Sequence, residues 1–180
     1  MDDYNKIPKD MKRMKNWIVC KNMMAFSPNT GKIARPKTST TWGTFTEAIQ
    51  AFSNIADNYE GIGFMFSGSG LIGINIENCF SDGKLTETAA AIVEMLDSYT
   101  EISTNGNSIH IIMKGNIPGV RNRQGNYSIY NSNCYFVMTG NILKAAPVSA
   151  DQDRINDFYR AYISTDPEND EAMMILANLC

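Results

Sequence analysis

The sequence predicts an α+β fold, a mixed arrangement in which a strand-rich middle is flanked by helices. Three observations predict it. Short β-rich runs recur at 17–20, 62–66, 71–76, 108–113, 127–130 and 134–138. Apolar residues at helical spacing occupy 44–55, 84–99 and 151–163. Clusters of Gly, Asn, Ser, Asp and Pro separate these segments, as turns require. The chain has 180 residues, of which 43% are hydrophobic and 19% charged, enough apolar material for the core of one domain. A wholly disordered chain, a fibrous repeat and a small disulfide scaffold are excluded.

Each element follows from local chemistry. Trp17-Ile18-Val19-Cys20 is a first strand. Ser27-Pro28-Asn29-Thr30-Gly31-Lys32 is a turn. Thr44 is an N-cap, and Ala48, Ile49, Phe52 and Ile55 form the apolar side of the helix it opens. The runs at 62–66 and 71–76 flank Ser67-Gly68-Ser69-Gly70, which predicts a hairpin. A second helix covers 84–99, with Leu85, Ala89, Ile92, Val93 and Leu96 on one side. Strands at 108–113, 127–130 and 134–138 follow, then a third helix at 151–163. Asp166-Pro167 opens a last helical stretch carrying Met173, Met174, Leu176 and Leu179. The expected division is one domain over 1–165 and, over 166–180, the start of a C-terminal helical segment that continues in a longer protein.

Two phosphate-binding signatures fail on context. Gly68-Ser69-Gly70-Leu71-Ile72-Gly73 matches the dinucleotide fingerprint, but its glycines lead into a strand and not into a helix N-terminus. Gly31-Lys32 lacks the upstream glycine of a P-loop.

The net charge of −3 is unevenly spread. Residues 1–37 hold nine Lys/Arg against three Asp/Glu, whereas 145–180 hold two against seven. A basic front is compatible with a polyanion site, and an ordinary solvated basic face fits the same count. Cys20, Cys79, Cys134 and Cys180 are far apart and form no C-x-x-C pair. No secretory h-region or membrane-length apolar run is visible. Free thiols, a cytoplasmic location and no membrane partner are expected. A zinc site is disfavoured, because the single histidine has no cysteine near it in sequence.

Three groups of residues can carry chemistry. Asn75 and Glu77 alternate onto one face at a strand end, where two oxygens can grip one hard cation. Ser108 and His110 share a face of the next long strand. Lys114, Arg121 and Arg123 follow that strand in a Gly-rich loop and can meet phosphates. Each group also has an ordinary reading, as a solvated strand end, a packed histidine or an exposed loop. A Ser/His/Asp hydrolase has little support, since no nucleophile elbow accompanies Ser108 and His110.

The order of these strings resembles the primase-polymerase domain of the archaeo-eukaryotic primase superfamily, in the form carried by phages, plasmids and other mobile elements. The resemblance runs from about Trp17 to Leu143. It includes Gly73-Ile74-Asn75-Ile76-Glu77, Ser108-Ile109-His110, Ser128-Ile129-Tyr130 and Tyr135-Phe136-Val137-Met138-Thr139-Gly140. It implies an RRM-like antiparallel sheet flanked by helices, with a smaller N-terminal α/β portion. It implies Mg²⁺ or Mn²⁺, a dNTP or NTP, a DNA template and primer, and an associated helicase domain or protein.

In that family an Asp-x-Asp pair and a later carboxylate hold the metals, and Ser-x-His contacts the nucleotide phosphates. Carried over residue by residue, Asn75, Glu77 and His110 take the catalytic positions. Ser108 and His110 take the nucleotide; from the basic loop, and not from the family motifs, Lys114 is added to the nucleotide site and Arg121 and Arg123 to a nucleic-acid site. Glu77 is the metal ligand, Asn75 a weak one, and Ser128 stands at the position of a missing carboxylate. Asp82 and Glu101 are nearby carboxylates, and Glu101 is discounted as a ligand. The expected function is a DNA primase-polymerase-like domain of a mobile-element replication protein, with nucleotidyl transfer weakened by the lost carboxylates. The alternative is a catalytically inactive DNA-binding or protein-interaction module on the same fold.

Overall fold

The computed structural model describes residues 3–165. In chain order these form α1 (Lys9–Lys12), β1 (Trp17–Lys21), β2 (Met24–Phe26), α2 (Phe45–Ser53), β3 (Gly61–Met65), β4 (Leu71–Ile76), β5 (Phe80–Ser81) and β6 (Lys84–Leu85). They continue with α3 (Glu87–Leu96), β7 (Thr100–Ile102), β8 (Ile109–Lys114), β9 (Arg123–Gln124), β10 (Tyr127–Tyr130), β11 (Tyr135–Met138), β12 (Ile142–Lys144) and α4 (Gln152–Tyr162). One sheet has the order β11-β3-β1-β2 and a larger one β12-β7-β8-β4-β10-β9, and β5 and β6 make a small hairpin. Every strand pairing is antiparallel. The chain is α+β, as its sequence predicts.

Alternation along the strands sorts the core. Ile72, Ile74 and Ile76 of β4 and Ile109, Ile111 and Met113 of β8 face one way, onto α3 and α4. Leu71 and Ile112 face the other way and join Phe64, Phe136 and Met138 of the smaller sheet and Phe66 just past the end of β3. Trp17 is fully buried in that second cluster. Its indole N–H donates to the Met11 carbonyl at 3.1 Å, and its ring meets Phe45 and Phe64 edge-on at 5.0 and 5.2 Å. The start of α2 is fastened by a capping box. The Glu47 N–H donates to Thr44 Oγ1 at 3.2 Å, and the Thr44 N–H donates to Glu47 Oε2 at 2.7 Å.

Three local expectations are corrected. The runs on either side of Ser67–Gly70 are strands, but they do not pair. β3 is hydrogen-bonded on both edges by β1 and β11, and β4 on both edges by β8 and β10, so neither has an edge left. The turn, with Gly68 and Gly70 at φ +72 and +73, carries the chain from one sheet to the other. The helix expected over 84–99 begins only at Glu87, capped by Thr86, because Asp82-Gly83 folds residues 80–85 into the β5–β6 hairpin. Ile55 lies beyond the end of α2 and is 93% exposed. The helical segment expected over 166–180 lies outside the described residues. Among those described, no helix is long and apolar enough to cross a membrane.

Gly73 marks where the sheets touch. A Cβ there would lie 2.8 Å from Phe66 Cε2 and 2.5 Å from Phe136 Cε2. Gly73→Ala is expected to destabilise the fold by about 1–3 kcal/mol through overpacking. A lowered urea midpoint at unchanged m checks this.

Cys20, Cys79 and Cys134 are free thiols. Burial, with Glu60 adding a smaller push, raises Cys20 to about 12, and burial raises Cys134 to about 11. An unfolded thiol ionises near about 8.5, so the unfolded chain gives up these protons first. Stability held at neutral pH should fall as pH rises from about 9 toward 12. Urea titrations across that range check the sign, and thiol-blocking reagents should react slowly at pH 8.

Candidate functional site

The strand register assembles the site. Glu101 pairs with His110, His110 with Asn75, Asn75 with Ser128, and Ser128 with Arg123. Residues directly opposite in an antiparallel sheet share a face, so these five form one row across β7, β8, β4, β10 and β9. The row lies on the face turned toward the smaller sheet. Where β11 ends its cover, a cleft of about 260 Å³ opens. Asn75, Glu77, Asn105, Ser108, His110 and Phe136 line it. Four of the residues expected from sequence, Asn75, Glu77, Ser108 and His110, therefore meet in one place.

His110 is held on two sides. Its ring stacks on Phe136 with centroids 4.4 Å apart and 22° between planes. Its Nδ1 faces Glu101 Oε1 at 3.4 Å. Glu101 is fully buried. Its Oε1 also accepts the Thr139 N–H at 3.0 Å, and its Oε2 accepts the Tyr99 hydroxyl at 2.7 Å and the Gly140 N–H at 3.0 Å. Burial beside this carboxylate drives the Tyr99 phenol far above its ordinary value, so it stays a donor.

The charge on the cleft is already partly matched. Glu77 Oε1 accepts from the Asn75 amide at 3.4 Å, which confirms that the two side chains share a face. Glu77 Oε2 pairs with the Arg123 guanidinium at 2.8 Å. Ser128 is buried beside Asn75 in the row and adds no charge. Below them a tight turn presents Ser108. The Ser103 hydroxyl and the Asn107 N–H donate to Asn105 Oδ1 at 2.7 and 2.9 Å, and the Asn105 amide donates to Ser108 Oγ at 3.1 Å. Among the described residues, no group of three or more His, Cys, Asp and Glu side chains is placed to hold a metal ion.

The other expected residues sit apart. Lys114 is at the far end of β8, opposite Leu71, about 13 Å along the strand from His110. Its backbone N–H donates to Ser149, and its side chain is outside the cleft. Arg121 lines a separate cleft of about 340 Å³ with Asn122, Asn131 and Asn133. Arg123 joins the site, but by pairing with Glu77. A third cleft, of about 450 Å³, gathers Lys15, Asn16, Lys37, Trp42 and Ser67.

No model of a known protein family matches the chain. Aligned over 147 residues, 74% of its length, it is 25% identical to a protein described as a DNA Primase-polymerase from Nitratiruptor phage NrS-1. The chain is a distant relative of that phage primase-polymerase. The aligned part makes up 20% of the phage protein's length. The kinship agrees with the resemblance carried by the strings around Asn75 and His110.

Sequence reasoning missed two contacts. Glu101 as the partner of His110 is invisible without the register that sets β7 beside β8. The Arg123–Glu77 pair spans 46 residues and joins an edge strand to a strand end. Both side chains of that pair are substantially exposed, so Arg123→Ala should change stability by less than about 1 kcal/mol. A thermal melt checks it, and a large loss would show that the pair holds the β9 edge.

Proposed function

We propose that this chain is a primase-polymerase-like domain of a mobile-element replication protein. It binds a nucleoside triphosphate and DNA, and its nucleotidyl transfer is weak. The observation that carries the reading is the convergence of Asn75, Glu77, Ser108 and His110 on one cleft, in a chain akin to a phage primase-polymerase. In this reading Ser108 and His110 meet the triphosphate. A helicase domain or protein as neighbour is part of this reading; the aligned part is 20% of the phage relative's length, which leaves room for further domains there.

Two-metal nucleotidyl transfer needs several anionic oxygens around two divalent cations. The residues present do not fit that demand. Glu77 is the carboxylate lining the cleft and is paired with Arg123, while Asn75 and Ser128 are neutral. Mg²⁺ sheds water reluctantly and depends on anionic ligands. Glu77 with the Asn75 amide oxygen is a weak site for one Mg²⁺ or Mn²⁺. The same pairing favours a second reading, a DNA-binding or protein-interaction module without chemistry.

A primer-extension assay with Mn²⁺ separates the readings. Little or no extension is expected from the unaltered protein, and Asn75→Asp with Ser128→Glu should raise Mn²⁺ affinity and restore some extension. Neither change alone should suffice, because such ligands act as a unit. Robust extension by the unaltered protein would sink the weakened-catalysis reading.

The cleft at Lys15, Lys37 and Trp42 suits single-stranded DNA, with ammonium groups for phosphates and an indole for a base. Trp17 is fully buried, so Trp42 should report ligand by fluorescence quenching. Oligo-dT should quench it. Replacing both lysines with Ala should weaken binding and flatten the log K against log[salt] slope by about 1.4. No quenching at low salt moves the DNA path away from this cleft.

A further inference from the structure

We infer that Glu101 is a positioning residue for His110, gripping the imidazole at Nδ1 so that Nε2 is the nitrogen presented to the cleft. Its effect on affinity rests on the nucleotide-binding reading above, whereas the geometry of the pair does not.

A carboxylate in a sheet interior is costly unless its lone pairs are filled. Glu101 meets that condition with donors from two segments: Tyr99 beside it, and Thr139 and Gly140 in the turn between β11 and β12. Every one of these partners donates, so the carboxylate cannot rotate away without stranding an N–H or O–H. Oε1, which takes the Thr139 N–H, is also the oxygen that faces His110 Nδ1. That oxygen is an obligate acceptor, so the structure favours a proton on Nδ1; a phosphate oxygen is an acceptor too, so it is met where Nε2 also carries a proton, with the buried carboxylate behind the ring to balance the charge. The Phe136 stack fixes the ring plane and leaves Nε2 on the side of the cleft that His110 lines.

If Glu101 served only to pin the turn between β11 and β12, its own donors would suffice and the state of the imidazole would not matter. The positioning role instead predicts that the effect of Glu101 on ligand passes through His110. Carboxylates that orient a metal-bound histidine from behind typically change affinity or activity about 10–100-fold when replaced, and an effect of that order is expected here.

His110 is the single histidine of the chain, so its ring nitrogens can be read without assignment ambiguity. Long-range ¹H–¹⁵N spectra of the full chain should show a proton on Nδ1. In Glu101→Gln the Nδ1 signal should move, and affinity for dATP should fall about 10–100-fold. In a double-mutant cycle, Glu101→Gln with His110→Ala should lose no more affinity than His110→Ala alone. Additive losses, or an unchanged imidazole spectrum in Glu101→Gln, would overturn the proposal. If Glu101→Gln does not fold, the parent spectrum still decides, since a bare Nδ1 with the proton on Nε2 overturns it. If the parent protein fails to bind dATP, the nucleotide reading falls, and the Nδ1 spectrum alone judges the Glu101–His110 pair.

Discussion

The register between β4 and β8 is the constraint on which the rest depends. Six consecutive pairs, from Leu71 opposite Lys114 to Ile76 opposite Ile109, lock the two central strands together. Both faces of this pair are buried, so a slip of one residue would exchange them. The isoleucines that now meet α3 and α4 would turn toward the smaller sheet. Asn75 and His110 would be driven under the helices, into the apolar cluster packed on α3 and α4. The hydrophobic demand of one face thus sets the chemistry of the other.

The site is built where apolar cover runs out. Phe66 and Phe136 press on the sheet over Gly73 and exclude water from its middle. Past Phe136 the same row continues with polar side chains, and the cleft begins. This placement gives His110 an aromatic floor on one side and a buried carboxylate behind. The small volume of Gly73 brings the second sheet near enough for β11 to wall the cleft.

Electrostatics divide the site into two halves. On the β7–β8 side a buried carboxylate is saturated by hydrogen bonds and backs an imidazole. On the β4–β10 side the carboxylate that lines the cleft, Glu77, is answered by a guanidinium from an edge strand. Beyond Glu77 the cleft presents the polar side chains of Asn75, Asn105, Ser108 and His110. A divalent cation would have to compete with Arg123 for Glu77. That asymmetry opposes gathering divalent cations in the cleft.

Much of this was legible in the sequence, and the limit has a physical cause. Alternation within one strand placed Asn75 with Glu77 and Ser108 with His110, because side-chain direction along a strand is a local property. Thr44 announced a helix start for the same reason, capping the backbone within three residues of itself. The strings around Asn75 and His110 suggested a primase-polymerase resemblance, and the chain is 25% identical to a phage primase-polymerase. Pairing partners were not legible. The Ser67–Gly70 turn has the composition of a hairpin, yet edge competition from β1, β11, β8 and β10 sends its two strands to different sheets. Nor could the sequence show that Glu101 stands behind His110, that Arg123 answers Glu77, or that Lys114 lies outside the cleft at the far end of β8. By itself, then, the sequence determined the α+β class, the strand faces and the residue pairs of the cleft, all from neighbours along the chain. The tertiary structure alone decided which charges face one another, because that follows from long-range register and packing.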